Sequence, residues 1–176
     1  MMTKPLMKIG RRKVGPDYKP LIIVELGINH AGSLKKAKNL VDVAYKFGAE
    51  IIKHQTHVVQ DEMSLEAKKI IPSHTKKNIF DIIKNSSLSE ENEFKLMKYV
   101  ESKKMIFIST PFSRLAVDRL IKFNVPAIKI GSGECNNYPL VEYIAKQKKP
   151  IILSTGMNSV KSIKPSVKIL EKYKIP

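Results

Sequence analysis

Residues 105–157 read MIFISTPFSRLAVDRLIKFNVPAIKIGSGECNNYPLVEYIAKQKKPIILSTGM, and this stretch decides the fold. Three times between residues 105 and 173 a short apolar run is followed by a polar turn and then by a stretch with apolar residues at helical spacing. Strict alternation of strand and helix patterns is typical of a parallel sheet whose faces are covered by helices. We predict strands over 105–109, 127–130 and 151–153, with helices that end near Phe123, Gln147 and Tyr173.

The same order of patterns extends toward the N-terminus. A strand is predicted over 21–24, and Ser33 is placed to cap a helix that ends at Gly48. A second strand follows over 50–55 and a further helix over 89–103. Between them, residues 56–89 are irregular apart from a helical pattern near 78–83, and loops of that length are often functional.

Five β-α units in a row fit two architectures, an open doubly wound sheet or a (β/α)8 barrel. A barrel needs about 250 residues. The barrel interpretation therefore predicts a chain truncated after about five units, with residues 1–20 as an N-terminal extension and 21–176 as a partial barrel. An open-sheet phosphosugar enzyme, complete at this length, is the alternative.

Composition excludes several classes of protein. The chain has 176 residues, 43% of them hydrophobic, with 8 Gly and a single cysteine, so disorder, collagen and a disulfide scaffold are excluded. No apolar run approaches the ~18 residues of a membrane span, and residues 1–10 lack the apolar core of a signal peptide. We therefore expect a cytoplasmic protein with no membrane partner.

The formal charge of +16 comes from 32 basic and 16 acidic residues. Only four basic residues are arginine, and the lysines are scattered through nearly every segment. Nucleic-acid binders usually concentrate basic residues on one face, so no nucleic-acid partner is expected. A non-catalytic module that binds a polyanion is the alternative, and it predicts binding that weakens steeply with salt.

Polar side chains interrupt strands that should be almost purely apolar if buried on both faces. Glu25 ends the first run, Lys53 and Gln55 interrupt the second, and Lys129 lies between two isoleucines in the fourth. Because Lys53 and Gln55 are two residues apart, they lie on the same side of their strand. All four lie near carboxyl ends of strands, where α/β proteins bind ligands. The alternative is that either lysine extends outward between helices to reach water.

Hydroxyl side chains follow three successive strands at the turn before each helix, at Thr110, Ser132 and Ser154. Such hydroxyls and their backbone N–H groups can bind a phosphate or a carboxylate. Together with two lysines they predict a pocket for a small ligand that carries two anionic groups.

Histidine and cysteine predict no metal site, although His57 and His74 lie on the long loop and could contact a substrate. The four histidines, at positions 30, 54, 57 and 74, match no zinc spacing. His54 alternates with Lys53 and Gln55 and is expected to face the helix layer in a structural role. Cys135 has no histidine partner in the sequence pattern and is expected to be a small buried residue.

Five motifs in order give the chain a close resemblance to the bacterial N-acetylneuraminate (sialic acid) synthase family, from about residue 20 to the last residue. They are ELGINH at 25–30, KHQTH at 53–57, STPFS at 109–113, KIGSGE at 129–134 and STGM at 154–157. Leu26 and Ala31 depart from the residues usual in the family.

The resemblance implies a (β/α)8 barrel that condenses phosphoenolpyruvate with N-acetylmannosamine and water to give N-acetylneuraminate and phosphate, with Mn²⁺ or Mg²⁺. Phosphoenolpyruvate carries a carboxylate and a phosphate, as the predicted pocket requires. Position by position, the resemblance implies that Glu25 and Glu134 are catalytic and that Gln55 binds the sugar. It assigns phosphoenolpyruvate binding to Lys53, Thr110, Lys129, Ser132 and Ser154.

The family's metal-binding histidines, and a C-terminal domain similar to type III antifreeze protein, correspond to positions beyond residue 176. The resemblance therefore implies no metal ligand in this chain, a homodimer for a full-length protein, and little activity or stability for these 176 residues alone. The same chemistry on a legionaminic or pseudaminic acid precursor is the alternative, because the sugar cannot be read from these residues.

Overall fold

The computed structural model describes residues 6–73 and 75–176, so the predicted loop position of His74 lies outside the described residues. Five parallel strands form one sheet in the order β3-β4-β5-β6-β7. Their bounds are Ile23–Gly27 (β3), Ile51–Thr56 (β4), Ile106–Pro111 (β5), Ile128–Ile130 (β6) and Ile151–Leu153 (β7). A sixth and a seventh segment, β1 (Met7–Ile9) and β2 (Arg12–Val14), form a separate antiparallel hairpin within the predicted N-terminal extension.

The helices follow the predicted alternation with β-strands. They are α1 (Leu34–Lys46), α2 (Val59–Glu62), α3 (Ile79–Ser86), α4 (Glu90–Ser102), α5 (Arg114–Lys122), α6 (Tyr138–Ala145) and α7 (Val160–Lys172). Ser33 caps α1 by accepting a hydrogen bond from the Lys36 amide, as predicted. The long irregular stretch contains two short segments that the sequence pattern did not indicate, α2 and a 3₁₀ turn over Leu65–Lys69.

Strand order distinguishes the two architectures. A doubly wound sheet reverses its order at a switch point, whereas these five strands follow one another without reversal. Right-handed crossovers in such an order place every connecting helix on the same face of the sheet. The sheet is therefore wound like the wall of a barrel, with an outer face toward the helices and an inner face away from them.

The main core lies between the outer face and the helices. Strand residues such as Ile52, Phe107 and Ile128 pack with Val41 of α1 and Leu120 of α5, and all five are at most 1% exposed. Alternation along each strand then places the neighbouring residues on the inner face.

The inner face is apolar at the amino ends of the strands. Ile51, Ile108 and Ala127 form a second cluster there, and Ile9 of the hairpin is buried against them. Arg12 also pairs with Glu50, just before β4, at 2.9 Å. The hairpin thus covers the amino end of the inner face and leaves the carboxyl end for polar residues.

Candidate functional site

The carboxyl end of the inner face holds a chain of bonded polar groups. Lys53 on β4 is 6% exposed, and its Nζ lies 2.7 Å from Glu25 Oε1 on β3. The same ammonium donates a hydrogen bond of 3.0 Å to Thr110 Oγ1 on β5. The register of the sheet explains the ion pair between Glu25 and Lys53, because the two residues are directly opposite each other on β3 and β4. Lys53 is therefore directed to the inner face, and the alternative that it extends outward between the helices to reach water is wrong.

Lys129 on β6 belongs to the same face. Its Nζ donates to Ser154 Oγ at 2.6 Å and to the Ile130 carbonyl oxygen at 3.1 Å. Partial burial lowers the pKa of Lys129, and the charge of Lys53 lowers it further, while Glu25 acts in the opposite direction. The two ammonium groups therefore lie close enough to repel each other, which favours an anion between them.

The turn after β6 carries two further predicted residues, Ser132 and Glu134. It is a 3₁₀ turn over Ser132–Glu134, and Asn158 donates to the Ser132 carbonyl oxygen at 2.8 Å. Glu134 is half-buried and accepts a hydrogen bond of 2.7 Å from Asn137. Within residues 6–73 and 75–176 neither lysine forms an ion pair with Glu134, so the structure groups Glu25, Lys53 and Lys129 more tightly than Glu134.

Gln55 lies beyond Lys53 on the same strand and is held by residues that the sequence did not assign. His57 Nε2 is 3.4 Å from Gln55 Oε1, and His57 Nδ1 is 2.8 Å from Glu62 Oε2. The His57 ring also stacks on Phe112, with the ring centroids 4.3 Å apart. The alternation of Gln55 and His57 was a usable signal, whereas Glu62 comes from α2, which the sequence pattern did not predict.

A second polar network lies on the outer face, where apolar packing is the norm. His54 is 1% exposed and faces the helices, as predicted. Its Nδ1 lies 3.0 Å from Glu93 Oε1 of α4, and its Nε2 lies 3.0 Å from His30 Nε2. Arg119 of α5 donates to the other Glu93 oxygen at 3.0 Å. Sequence reasoning missed Glu93 and Arg119 because their partners are distant in the chain.

A metal ion bound by the described part of the chain would need a cluster of ligating side chains. Residues 6–73 and 75–176 contain no group of three His, Cys, Asp or Glu side chains placed to hold an ion. Glu25, the carboxylate nearest the lysines, is already paired with Lys53. The described side chains therefore do not by themselves fit the Mn²⁺ or Mg²⁺ that the resemblance implies.

Cys135 is fully buried, as predicted. Burial raises the pKa of its thiol, which keeps the sulfur protonated and unreactive. Among the helices of the described residues, none combines the length and the apolar character that a bilayer crossing requires.

Comparisons with known proteins agree with this geometry. The model of the NeuB family matches residues 40–175. An uncharacterized protein of Methanocaldococcus jannaschii is 42% identical over 94% of this chain and 46% of its own length. An N,N'-diacetyllegionaminic acid synthase of Legionella pneumophila is 32% identical over 93% of this chain and 47% of its own. The chain spans about half the length of these curated relatives.

Among solved structures, the N-acetylneuraminic acid (sialic acid) synthetase of Leptospira borgpetersenii in complex with citrate superimposes with a TM-score of 0.85. The match has 26% sequence identity and covers 97% of this chain and 56% of that one. The family match spans more than half of the chain, and the strand order is that of a barrel wall. This chain belongs to the NeuB family.

Proposed function

We propose that the carboxyl end of the inner face binds phosphoenolpyruvate. The observation that carries this proposal is the placement of two ammonium groups, those of Lys53 and Lys129, beside hydroxyl groups on one face. One anionic group of the ligand would contact Lys53 and Thr110. The other would contact Lys129, Ser154 and the nearby Ser132.

We propose further that the complete enzyme condenses phosphoenolpyruvate with N-acetylmannosamine and water to give N-acetylneuraminate and phosphate. The methylene carbon of phosphoenolpyruvate would attack the aldehyde carbon of the open-chain sugar, forming the C–C bond while the aldehyde oxygen takes a proton. The positive charge that develops at C2 would be met by water, and the C–O bond to phosphate then breaks. The relatives named above support the reaction class.

Glu25 suits the role of stabilising charge at C2 and accepting the proton of the attacking water. Without ligand its carboxylate is paired with Lys53. An anion that takes over Lys53 would release Glu25 for that role. Glu134, anchored by Asn137 on the turn after β6, would face the sugar hydroxyls, and Gln55 would hydrogen-bond the sugar.

The divalent ion and the homodimer rest on the resemblance alone, and we propose both for the complete enzyme. We also propose that the 176-residue chain does not turn over these substrates on its own. Release of phosphate from phosphoenolpyruvate and N-acetylmannosamine by this chain would contradict that proposal.

The sugar has a second candidate, a diamino-dideoxy sugar that leads to legionaminic or pseudaminic acid. This candidate is supported by the 32% sequence identity to an N,N'-diacetyllegionaminic acid synthase. Comparing product formation from N-acetylmannosamine and from the diamino sugar, with the complete enzyme, decides between them.

Calorimetric titration of the chain with phosphoenolpyruvate tests the binding proposal. We expect Lys53→Gln and Lys129→Gln each to weaken binding by about tenfold or more, because each removes a charged donor. Lys122→Gln is the matched control, since Lys122 is exposed and pairs with Glu90 at the protein surface. Equal affinity in all three variants, or no binding by the unmodified chain, would contradict the proposal.

A further inference from the structure

The network on the outer face is directional, and its direction follows from the chemistry of each group. Glu93 is fully buried, and its burial alone would raise its pKa. Hydrogen bonds from His54, Thr56 and Arg119 more than offset burial and keep the pKa of Glu93 below its usual value. Glu93 is therefore a carboxylate that only accepts hydrogen bonds, so His54 Nδ1 carries a proton and donates to it.

The next contacts fix the remaining protons. The Gly32 amide can only donate, and it does so at 3.1 Å to His30 Nδ1, so this nitrogen accepts and His30 carries its proton on Nε2. His30 Nε2 then donates to His54 Nε2 at 3.0 Å. A second proton on His54 would put two donors face to face. Donation thus runs one way, from Gly32 through His30 and His54 to Glu93.

This buried chain joins two elements that carry the candidate site. His30 lies in the β3–α1 loop, and His54 lies on β4 between Lys53 and Gln55. The loop turns sharply after His30, where Ala31 and Gly32 adopt positive φ angles of 47° and 74°. His30 and His54 therefore fix the position of the loop relative to the strand.

The other side of the same loop reaches the site. A Cβ placed on Gly27 would lie 3.6 Å from Glu25 Oε1 and 4.0 Å from both the Asn29 amide nitrogen and the Gln55 amide carbon. Glu25, Asn29 and Gln55 thus surround one point at the end of β3. Asn29 is exposed to the inner side, and no binding role was predicted for it from the sequence.

We propose that His30, His54 and Glu93 are positioning residues that hold the β3–α1 loop against β4, so that Asn29 and Gln55 face the bound ligand. The ligand part of this inference rests on the proposed function. None of the three residues contacts the ligand, and their effect passes through the loop and the strand. Sites whose supporting residues are removed lose affinity through small displacements, since about 1 Å of misplacement is enough to matter.

Nuclear magnetic resonance of the chain tests the proton arrangement first. Long-range ¹H–¹⁵N spectra distinguish the two tautomers of each imidazole. We expect His30 to be protonated on Nε2 and His54 on Nδ1. Any other pair of tautomers would overturn the directional network.

Two variants then test positioning. Glu93→Gln keeps the shape of the side chain but replaces an acceptor oxygen by a donor, and His54→Phe keeps the ring but removes both hydrogen bonds. Tyr99→Phe is the control, because it removes a hydrogen bond of 2.7 Å to Asp42 from the same helix, away from the site. We expect the side-chain amide resonances of Asn29 and Gln55 to shift in the first two variants and to stay unchanged in the control.

Phosphoenolpyruvate titrations of the same proteins complete the test. We expect about tenfold weaker binding of phosphoenolpyruvate in Glu93→Gln and His54→Phe, because His54 is the neighbour of Lys53 on β4 and a displaced strand end would move that lysine as well. Binding should be unchanged in Tyr99→Phe. Folded variants with unmodified amide resonances and unmodified affinity would overturn the positioning proposal. If the unmodified chain does not bind phosphoenolpyruvate, the proposed function fails, and the amide resonances still decide whether the network positions Asn29 and Gln55.

Discussion

The ammonium group of Lys129 is influenced by the other charged residues of the candidate site. Its ammonium group is half-buried beside Ser154 and within the electrostatic reach of Lys53 and Glu25. Glu25 pairs with Lys53, so the three groups together carry one uncompensated positive charge in a partly desolvated site. Binding of an anion would compensate that charge.

We predict that the substitution Lys53→Gln raises the pKa of Lys129. Burial and the charge of Lys53 both lower the pKa of Lys129, so removing that charge should raise the pKa while the contribution of burial persists. The Cε resonance of Lys129, followed by NMR through an alkaline titration, measures the change. Lys122→Gln should leave the pKa of Lys129 unaltered, and an unaltered value in Lys53→Gln would contradict the proximity of the two lysines.

His30 leads to a prediction about stability in acid. Burial and the neighbouring His54 lower its pKa to about 4 from the ordinary value of 6.5. Between these values the unfolded chain binds the proton and the native chain does not. The free energy of unfolding should therefore fall as the pH decreases from 6.5 toward 4, by up to ~1.4 kcal/mol per pH unit from this group.

Urea unfolding at a series of pH values, with His30→Gln for comparison, measures that contribution. The variant should be less stable at neutral pH, and its stability should depend less steeply on pH across the same window. Glu93 loses its own stabilising contribution only at lower pH, because its pKa lies below the usual carboxyl value. Parallel pH profiles for the two proteins would contradict a neutral, buried His30.

At the scale of elements, the β3–α1 loop depends on one glycine. Gly32 has a φ of +74°, and a Cβ at this position would collide with the Asn85 carbonyl oxygen at the end of α3. Gly48, after α1, has a similar φ of +77° but has no neighbour within 4 Å of an added Cβ. Comparing alanine substitutions at Gly32 and Gly48 therefore separates two contributions to the loss of stability. One is the free energy of a left-handed backbone conformation, and the other is that of a steric collision.

Gly48→Ala should lower the free energy of unfolding by about 1 kcal/mol, the cost of a left-handed conformation. Gly32→Ala should lower it by at least about 3 kcal/mol, since α3 or the loop must also move. Chemical denaturation of both variants makes the comparison. Equal losses would show that the loop and α3 are not packed as described.

At the scale of the whole molecule, the N-terminal hairpin completes the inner core. Ile9 is 1% exposed among Ile51, Ile108 and Ala127, although it is far from them in sequence. We expect Ile9→Ala to lower the free energy of unfolding by about 2–5 kcal/mol, as large-to-small core changes do. Ile22→Ala, at a site that is 66% exposed, should change it by less than about 0.5 kcal/mol. Similar effects of the two changes on urea unfolding would contradict the role of the hairpin.

The parts of the molecule that the sequence could predict are those with a periodic signal. Alternation along β4 correctly assigned Lys53 and Gln55 to one face and His54 to the other. The N-cap at Ser33 and the strand at Ile151–Leu153 were predicted correctly for the same local reason. The roles assigned to the site residues stay predictions.

The parts that could not be predicted depend on contacts between distant residues. Glu93 lies in the first turn of α4, where acidic residues are common, and it contacts His54 across 39 positions of sequence. The hairpin was missed because its strands, MKI and RKV, contain basic residues and lack the apolar runs that predicted β6 and β7. Periodicity within one element carries no information about such partners.

We propose that Glu25, Lys53, Thr110, Lys129 and Ser154 form one site for a small dianion. An NMR titration of the isotope-labelled chain with phosphoenolpyruvate, followed residue by residue, tests this arrangement. We predict saturable shifts concentrated at the carboxyl ends of β3 to β7, with the ammonium signals of Lys53 and Lys129 among the most affected. Shifts spread over exposed lysines, or none at these five residues, would contradict it.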